Sequence, residues 1–156
     1  MKFEPRFEGF RTKVQESFER QNFMKHIGAE LAAVEPGYCE IRLPFSEKLT
    51  QQHGYFHAGV IGTLADNAAG YAGFTLMDEH ASVLTVEFKL NLLAPGKGES
   101  LVAKAEVLKS GRTLTVCRCD VFALGDGKET LCAAAQSTLI QLQNTSDSEE
   151  KQRPAS

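Results

Sequence analysis

Ala58-Gly59-Val60-Ile61-Gly62-Thr63-Leu64-Ala65-Asp66-Asn67-Ala68-Ala69-Gly70-Tyr71-Ala72-Gly73-Phe74-Thr75-Leu76-Met77 decides the fold. About 20 residues cross a bilayer, so a membrane span is the obvious rival reading. Four glycines, two threonines, an asparagine and a central aspartate speak against it. A carboxylate at mid-bilayer alone costs about 2.5–3.5 kcal/mol. The stretch reads instead as a helix buried on nearly all sides of a globular domain, its small residues letting strands come close to the backbone. Such a helix needs a sheet that wraps it, which predicts an α+β architecture.

Strands are legible on both sides of it. Upstream, Cys39, Ile41, Leu43 and Phe45 alternate with polar residues after a Pro36-Gly37 turn signal, predicting a half-buried strand in a hairpin. Downstream, Leu84, Val86, Phe88, Leu90 and Leu92 alternate with Thr85, Glu87, Lys89 and Asn91 until Pro95-Gly96 stops the pattern. Runs over 101–109, 113–123 and 130–142, separated by Ser110-Gly111-Arg112 and Gly125-Asp126-Gly127-Lys128, predict a three-stranded meander. The Ala-rich segment Cys132 to Ala135 is assigned to strand on the strength of its Thr, Leu and Ile flanks. Near the N-terminus, Phe7, Phe10, Val14 and Phe18 predict one amphipathic helix from Phe7 to Phe23. A polar segment over 143–156 is expected to be a flexible tail behind a single domain over 1–142.

The 156 residues carry a formal net charge of -3 with no block of basic residues, which offers no attraction for nucleic acid or for an anionic membrane surface. No apolar run follows the positive charge at the N-terminus, so a cytoplasmic location is expected. Cys39, Cys117, Cys119 and Cys132 form no CxxC pair and sit among apolar residues, reading as reduced, buried hydrophobes. No metal site and no cofactor are expected.

Asp66 is the residue that needs a reason, because an ionised carboxylate inside an apolar helix is costly without a partner. It either bonds a neighbouring loop or does chemistry as a general base or nucleophile. The loop from Gln51 to Gly59 runs into the start of the same helix, where the amides of Ala58 and Gly59 lack intrahelical acceptors. Free amides at the positive end of a helix can hold an oxyanion. His57 and Asp66 lie nine positions apart, about 13 Å along a helix, too far for one substrate carbonyl to touch both ends. If the two ends cooperate, each site joins Asp66 of one subunit to the helix start of another, and the protein is at least a homodimer. The strand over 83–93 is the candidate for pairing across the two-fold axis.

The segment His57-Ala58-Gly59-Val60-Ile61-Gly62-Thr63-Leu64-Ala65-Asp66-Asn67-Ala68-Ala69-Gly70 resembles the His-Gly-Gly…Leu-Ala-Asp segment of hot-dog-fold acyl-CoA thioesterases of the PaaI-like, phenylacetate-pathway group. The likeness extends from about Gly28 to Leu142, taking in Thr85-Val86-Glu87-Phe88 and Ser110-Gly111-Arg112-Thr113. It implies a hot-dog fold: a long central helix wrapped by an antiparallel sheet, here with an additional N-terminal helix. It also implies hydrolysis of an acyl-CoA thioester to a carboxylic acid and free coenzyme A, without a cofactor, in a homodimer or tetramer. On this likeness Asp66 is the general base or nucleophile and Ala58 gives the amide that polarises the thioester carbonyl. Ala58 stands where the family usually has glycine, and Gln51 falls where it has an Asn or Gln that orients substrate or water. His57 matches the histidine before the oxyanion amide, and Thr85 a Ser or Thr near the reacting centre. Gly59 and Asn67 join the substrate-binding set. Lys109 and Arg112, at a hairpin tip, either meet coenzyme A phosphates or remain a solvated turn. Tyr71 and Phe74 are core or acyl-pocket lining. A non-catalytic acyl-CoA-binding module is the alternative, and a hot-dog dehydratase a third reading.

Overall fold

In the computed structural model, which describes residues 3–143 and 145, the decisive stretch forms helix α3, Ala58–Phe74. It follows α1 (Phe10–Arg20), α2 (Asn22–Ile27), β1 (Glu30–Glu35) and β2 (Tyr38–Pro44). After it come β3 (Ser82–Leu92), β4 (Ser100–Ser110), β5 (Leu114–Gly125) and β6 (Lys128–Leu142). The six strands make one antiparallel sheet in the order β1-β2-β4-β5-β6-β3, so β3 leaves its sequence neighbours to pair with β6 at the edge. The sheet wraps α3, and this is the hot-dog arrangement. No described helix is long and apolar enough to cross a membrane. Of the expected polar tail, residues 144 and 146–156 lie outside the described residues.

Helix and sheet approach closely where the sequence is small. A Cβ placed on Gly73 would come within 2.4 Å of Leu139 Cδ1, so any larger residue there would force the Leu139 side chain to shift. The core joins Leu64, Ala68, Ala72 and Phe74 of the helix to Leu101, Val121, Ala133 and Leu139 of the sheet. The four cysteines are buried and free. Burial pushes the Cys39 and Cys117 thiols up to about 12, and those of Cys119 and Cys132 upward as well.

The helix is buried on most sides, as expected, and its remaining side is a stripe of Gly59, Thr63, Asp66, Asn67 and Gly70, spaced three and four apart, that is half-buried or exposed. One sequence expectation needs correction: the N-terminal helix is not continuous. Gln21 adopts an extended conformation (φ -74°, ψ 105°) between α1 and α2, and its side-chain amide donates to Tyr71 Oη at 2.6 Å, so a tertiary bond replaces the next helical turn. Arg6 and Lys13 fasten this N-terminal segment to the far end of α3, Lys13 Nζ donating to the Asp78 carbonyl at 2.5 Å and Arg6 lying 3.9 Å from the Asp78 carboxylate.

The edge strand β3 carries a bulge. Its register against β6 shifts between Thr85, opposite Leu139, and Glu87, opposite Thr138. Directly opposed residues share a face, and Leu139, Ser137 and Ala135 of β6 are all buried. Thr85, Phe88 and Leu90 therefore all face α3, although one is odd-numbered and two are even. Val86 is the extra residue, 58% exposed, and Leu84 faces away opposite Ile140. The uninterrupted apolar alternation in the sequence conceals this change of face.

Candidate active site

The bulge brings Thr85 to Asp66. The Thr85 hydroxyl donates to Asp66 Oδ1 at 2.7 Å, linking the middle of α3 to the edge strand. With one carboxylate oxygen held, Asp66 is oriented on the wall of a cavity of about 470 Å³. Asn67 lines the same cavity, its Nδ2 donating to the Thr63 carbonyl at 3.2 Å one turn back. Tyr71 also lines it and is 4% exposed, while Phe74 is fully buried, so the first serves the pocket and the second the core.

The start of α3 lies on a different cavity of about 440 Å³, lined by Gln51, Tyr55, Ala58 and the segment Leu92 to Gly96. His57 is the N-cap: its Nδ1 accepts from the Gly59 N–H at 2.8 Å, so one of the two first-turn donors is already occupied. Among the described residues no acceptor meets the Ala58 N–H. Asp126 is the only non-glycine residue with positive φ among those described, so Ala58 stands here without backbone strain and keeps its amide. Gln51 Oε1 accepts from the His53 N–H, and its Nε2 donors have no partner among the described residues. This cavity is thus lined by amide hydrogens and the other by a carboxylate.

One chain does not bring the two halves together. Asp66 and Thr85 belong to the first cavity and Gln51 and Ala58 to the second. Lys109 and Arg112 are exposed at the β4–β5 hairpin and line neither. That hairpin sits at the far end of α3, where Arg6 Nη2 donates to the Gly111 carbonyl at 3.3 Å. Among the described residues no three His, Cys, Asp or Glu side chains are placed to hold a metal ion.

Three residues of α1 and its end that sequence reasoning missed also line the Asp66 cavity: Ser17, Arg20 and Gln21. A signal was present. Phe10, Val14, Ser17, Phe18 and Gln21 fall on one helical stripe, and two polar residues inside an apolar stripe mark a face that meets polar groups. Ser17 is 8% exposed, with its Oγ 3.3 Å from Tyr71 Oη.

Comparisons with known proteins identify the family. Residues 53–130 match the Thioesterase superfamily. A protein of Saccharolobus solfataricus named a putative esterase is 34% identical over 134 residues, covering 86% of this chain and 87% of its own. A 1,4-dihydroxy-2-naphthoyl-CoA hydrolase of Listeria monocytogenes is 32% identical, over 72% of this chain and 89% of its own. The crystal structure of a thioesterase family protein from Silicibacter pomeroyi superposes with a TM-score of 0.86 at 47% identity, covering 86% of this chain and 99% of that one.

Proposed function

The chain belongs to the thioesterase superfamily, and from that membership we propose that it hydrolyses acyl-coenzyme A thioesters at sites completed by two copies of the chain. One observation carries the reading: a held carboxylate at mid-helix and a free amide at the helix start occupy separate cavities of one chain. The edge strand supports the dimer. Leu84, Val86, Phe88, Leu92 and Leu93 are 45–58% exposed on or beside an unpaired strand edge, a combination that favours strand pairing with a second copy. Pairing β3 with its symmetry mate would bring Asp66 of one copy toward the partner's Ala58 and Gln51.

In such a site the thioester carbonyl oxygen accepts from the partner's Ala58 N–H, and negative charge developing there is stabilised by that amide and the positive end of the helix. Asp66, aimed by Thr85, acts as general base or as nucleophile. As base it takes a proton from the water that attacks the carbonyl carbon. The tetrahedral intermediate then breaks its C–S bond, and the proton passes to the departing sulfur. As nucleophile it attacks the carbonyl carbon, the C–S bond breaks to release coenzyme A thiolate, and water opens the resulting anhydride, freeing the acid and the Asp66 carboxylate and giving the proton that the thiolate takes up. The Nε2 donors of the partner's Gln51 are available to orient water or substrate. Lys109 and Arg112 are proposed as phosphate contacts for a neighbouring copy's coenzyme A.

A panel of acyl-CoA esters, with released thiol detected by a thiol reagent, tests the reading. Turnover should be lost by roughly 10²–10⁴-fold in Asp66→Asn, with little change in affinity. Hydrolysis by Asp66→Asn at the parent rate would overturn it.

A further inference from the structure

The Asp66 cavity has Val83 and Leu84 on its β3 side, while its helical walls, from α1 and α3, carry polar groups: Ser17, Arg20, Gln21, Asn67 and Tyr71. Beyond Asp66 it is bounded on α3 by Asn67, Gly70 and Tyr71, so it runs toward the C-terminal end of the helix, away from the end that carries the free amide. Four positions separate Asp66 from Gly70, about 6 Å of helix. Gly70 leaves this stretch open, since a Cβ there would meet nothing within 4 Å. A ligand whose reacting carbon sits at Asp66 would place its far end here.

Arg20 stands over that far end. It is the last residue of α1, and its neighbourhood is fixed from both sides: Gln21 Nε2 donates to Tyr71 Oη at 2.6 Å, and Ser17 Oγ lies 3.3 Å from the same oxygen. Arg20 itself makes no hydrogen bond or ion pair among the described residues. The only other charged side chain of the cavity, Asp66, is held by Thr85. A planar guanidinium with no internal partner, set on a wall with an asparagine and a tyrosine–glutamine pair, matches a carboxylate in two-point contact. Arg20 is exposed, so beside an alkyl end its guanidinium stays hydrated and adds nothing to binding, whereas a carboxylate gains paired, charge-assisted hydrogen bonds from it.

We propose that this site takes acyl groups ending in a carboxylate, the half-thioesters of short dicarboxylic acids, with Arg20 as the residue that recognises the distal anion. The proposal rests on the acyl-CoA hydrolase reading for its substrate class. The same guanidinium could meet a phosphate of coenzyme A, and the experiment separates the two anions.

The test compares kcat/KM for glutaryl-CoA with that for 5-methylhexanoyl-CoA, its neutral isostere, in the parent protein and in Arg20→Gln. The parent should favour the glutaryl ester by about tenfold or more, and Arg20→Gln should bring the ratio close to one. A parent ratio of one or below, or a ratio that Arg20→Gln leaves unchanged, overturns the proposal. Equal loss on both esters also overturns it, because it assigns Arg20 to the phosphates. Calorimetric binding of the two esters to Asp66→Asn gives the same comparison without turnover. If the parent hydrolyses no ester of the panel while glutaryl-CoA binds more tightly through Arg20, the hydrolase reading fails and the carboxylate site stands. Equal binding of both esters rejects the carboxylate site whatever the turnover.

Discussion

Thr85 on the edge strand donates its hydroxyl to Asp66 on the central helix across 2.7 Å, and it reaches that carboxylate only because the bulge at Val86 puts it on the helix-facing side. Thr85→Val keeps the shape of the side chain and removes the donor. We expect kcat to fall by about tenfold with KM little changed, since the carboxylate loses its aim rather than its charge. Thr85→Ser should restore most of the rate. Steady-state kinetics of the two variants checks this, and equal losses in both would assign Thr85 a packing role only.

Ala58 is proposed to act through its backbone, which predicts opposite results for two small substitutions. Ala58→Gly keeps the N–H at the first position of α3 and should stay within a few-fold of the parent. Ala58→Pro is tolerated by the fold at that position but deletes the donor, and should raise the barrier by about 2.7–4 kcal/mol. Rates measured together with thermal unfolding separate loss of the donor from loss of the fold.

A site shared between copies predicts complementation. Asp66→Asn and Ala58→Pro homodimers should each be inactive. A mixed dimer would hold one site with both intact groups and one with neither. Random co-assembly should therefore recover about a quarter of the parent activity. Recovery of none, from dimers shown to be mixed, would mean that each chain completes its own site.

Asp78 anchors the N-terminal segment. Hydrogen bonds from Gln143 and Gln141, followed by the charges of Arg6 and Lys13, hold its carboxyl below the usual value of 3.8. A carboxylate depressed in the folded state contributes stability above its unfolded pKa and loses it as pH falls through the folded one. Thermal unfolding should thus fall more steeply below about pH 4 in the parent than in Asp78→Asn, which has no such proton to bind. The contribution is modest, because the side chain is 46% exposed.

The architecture was readable wherever side-chain period and burial agree. The α3 segment, the β4–β5–β6 meander and the strand assignment around Cys132 all follow from local pattern. Asp66 was legible because a charge inside an apolar helix has few explanations. What local pattern could not carry were features fixed by distant partners. The Val86 bulge is set by pairing with β6, and its apolar neighbours alternate as though the strand were regular. The break at Gln21 depends on a tyrosine 50 residues away. The half-open stripe on α3 reads as buried in sequence, since Gly59, Thr63, Asn67 and Gly70 are small or weakly polar residues that suit a core as well as an interface.

The cysteines have a practical bearing on all of these experiments. Cys39, Cys117, Cys119 and Cys132 are each 0% exposed, and burial holds every one of them in the unreactive thiol form. A chromogenic reagent that counts released coenzyme A therefore sees almost no background from the folded protein. The same silence turns into a clock once the protein opens. The four sulfurs sit on β2, β5 and β6, so the rate at which they become labelled under native conditions reports how often the centre of the sheet exposes itself, and a variant that only loses chemistry will label no faster than its parent.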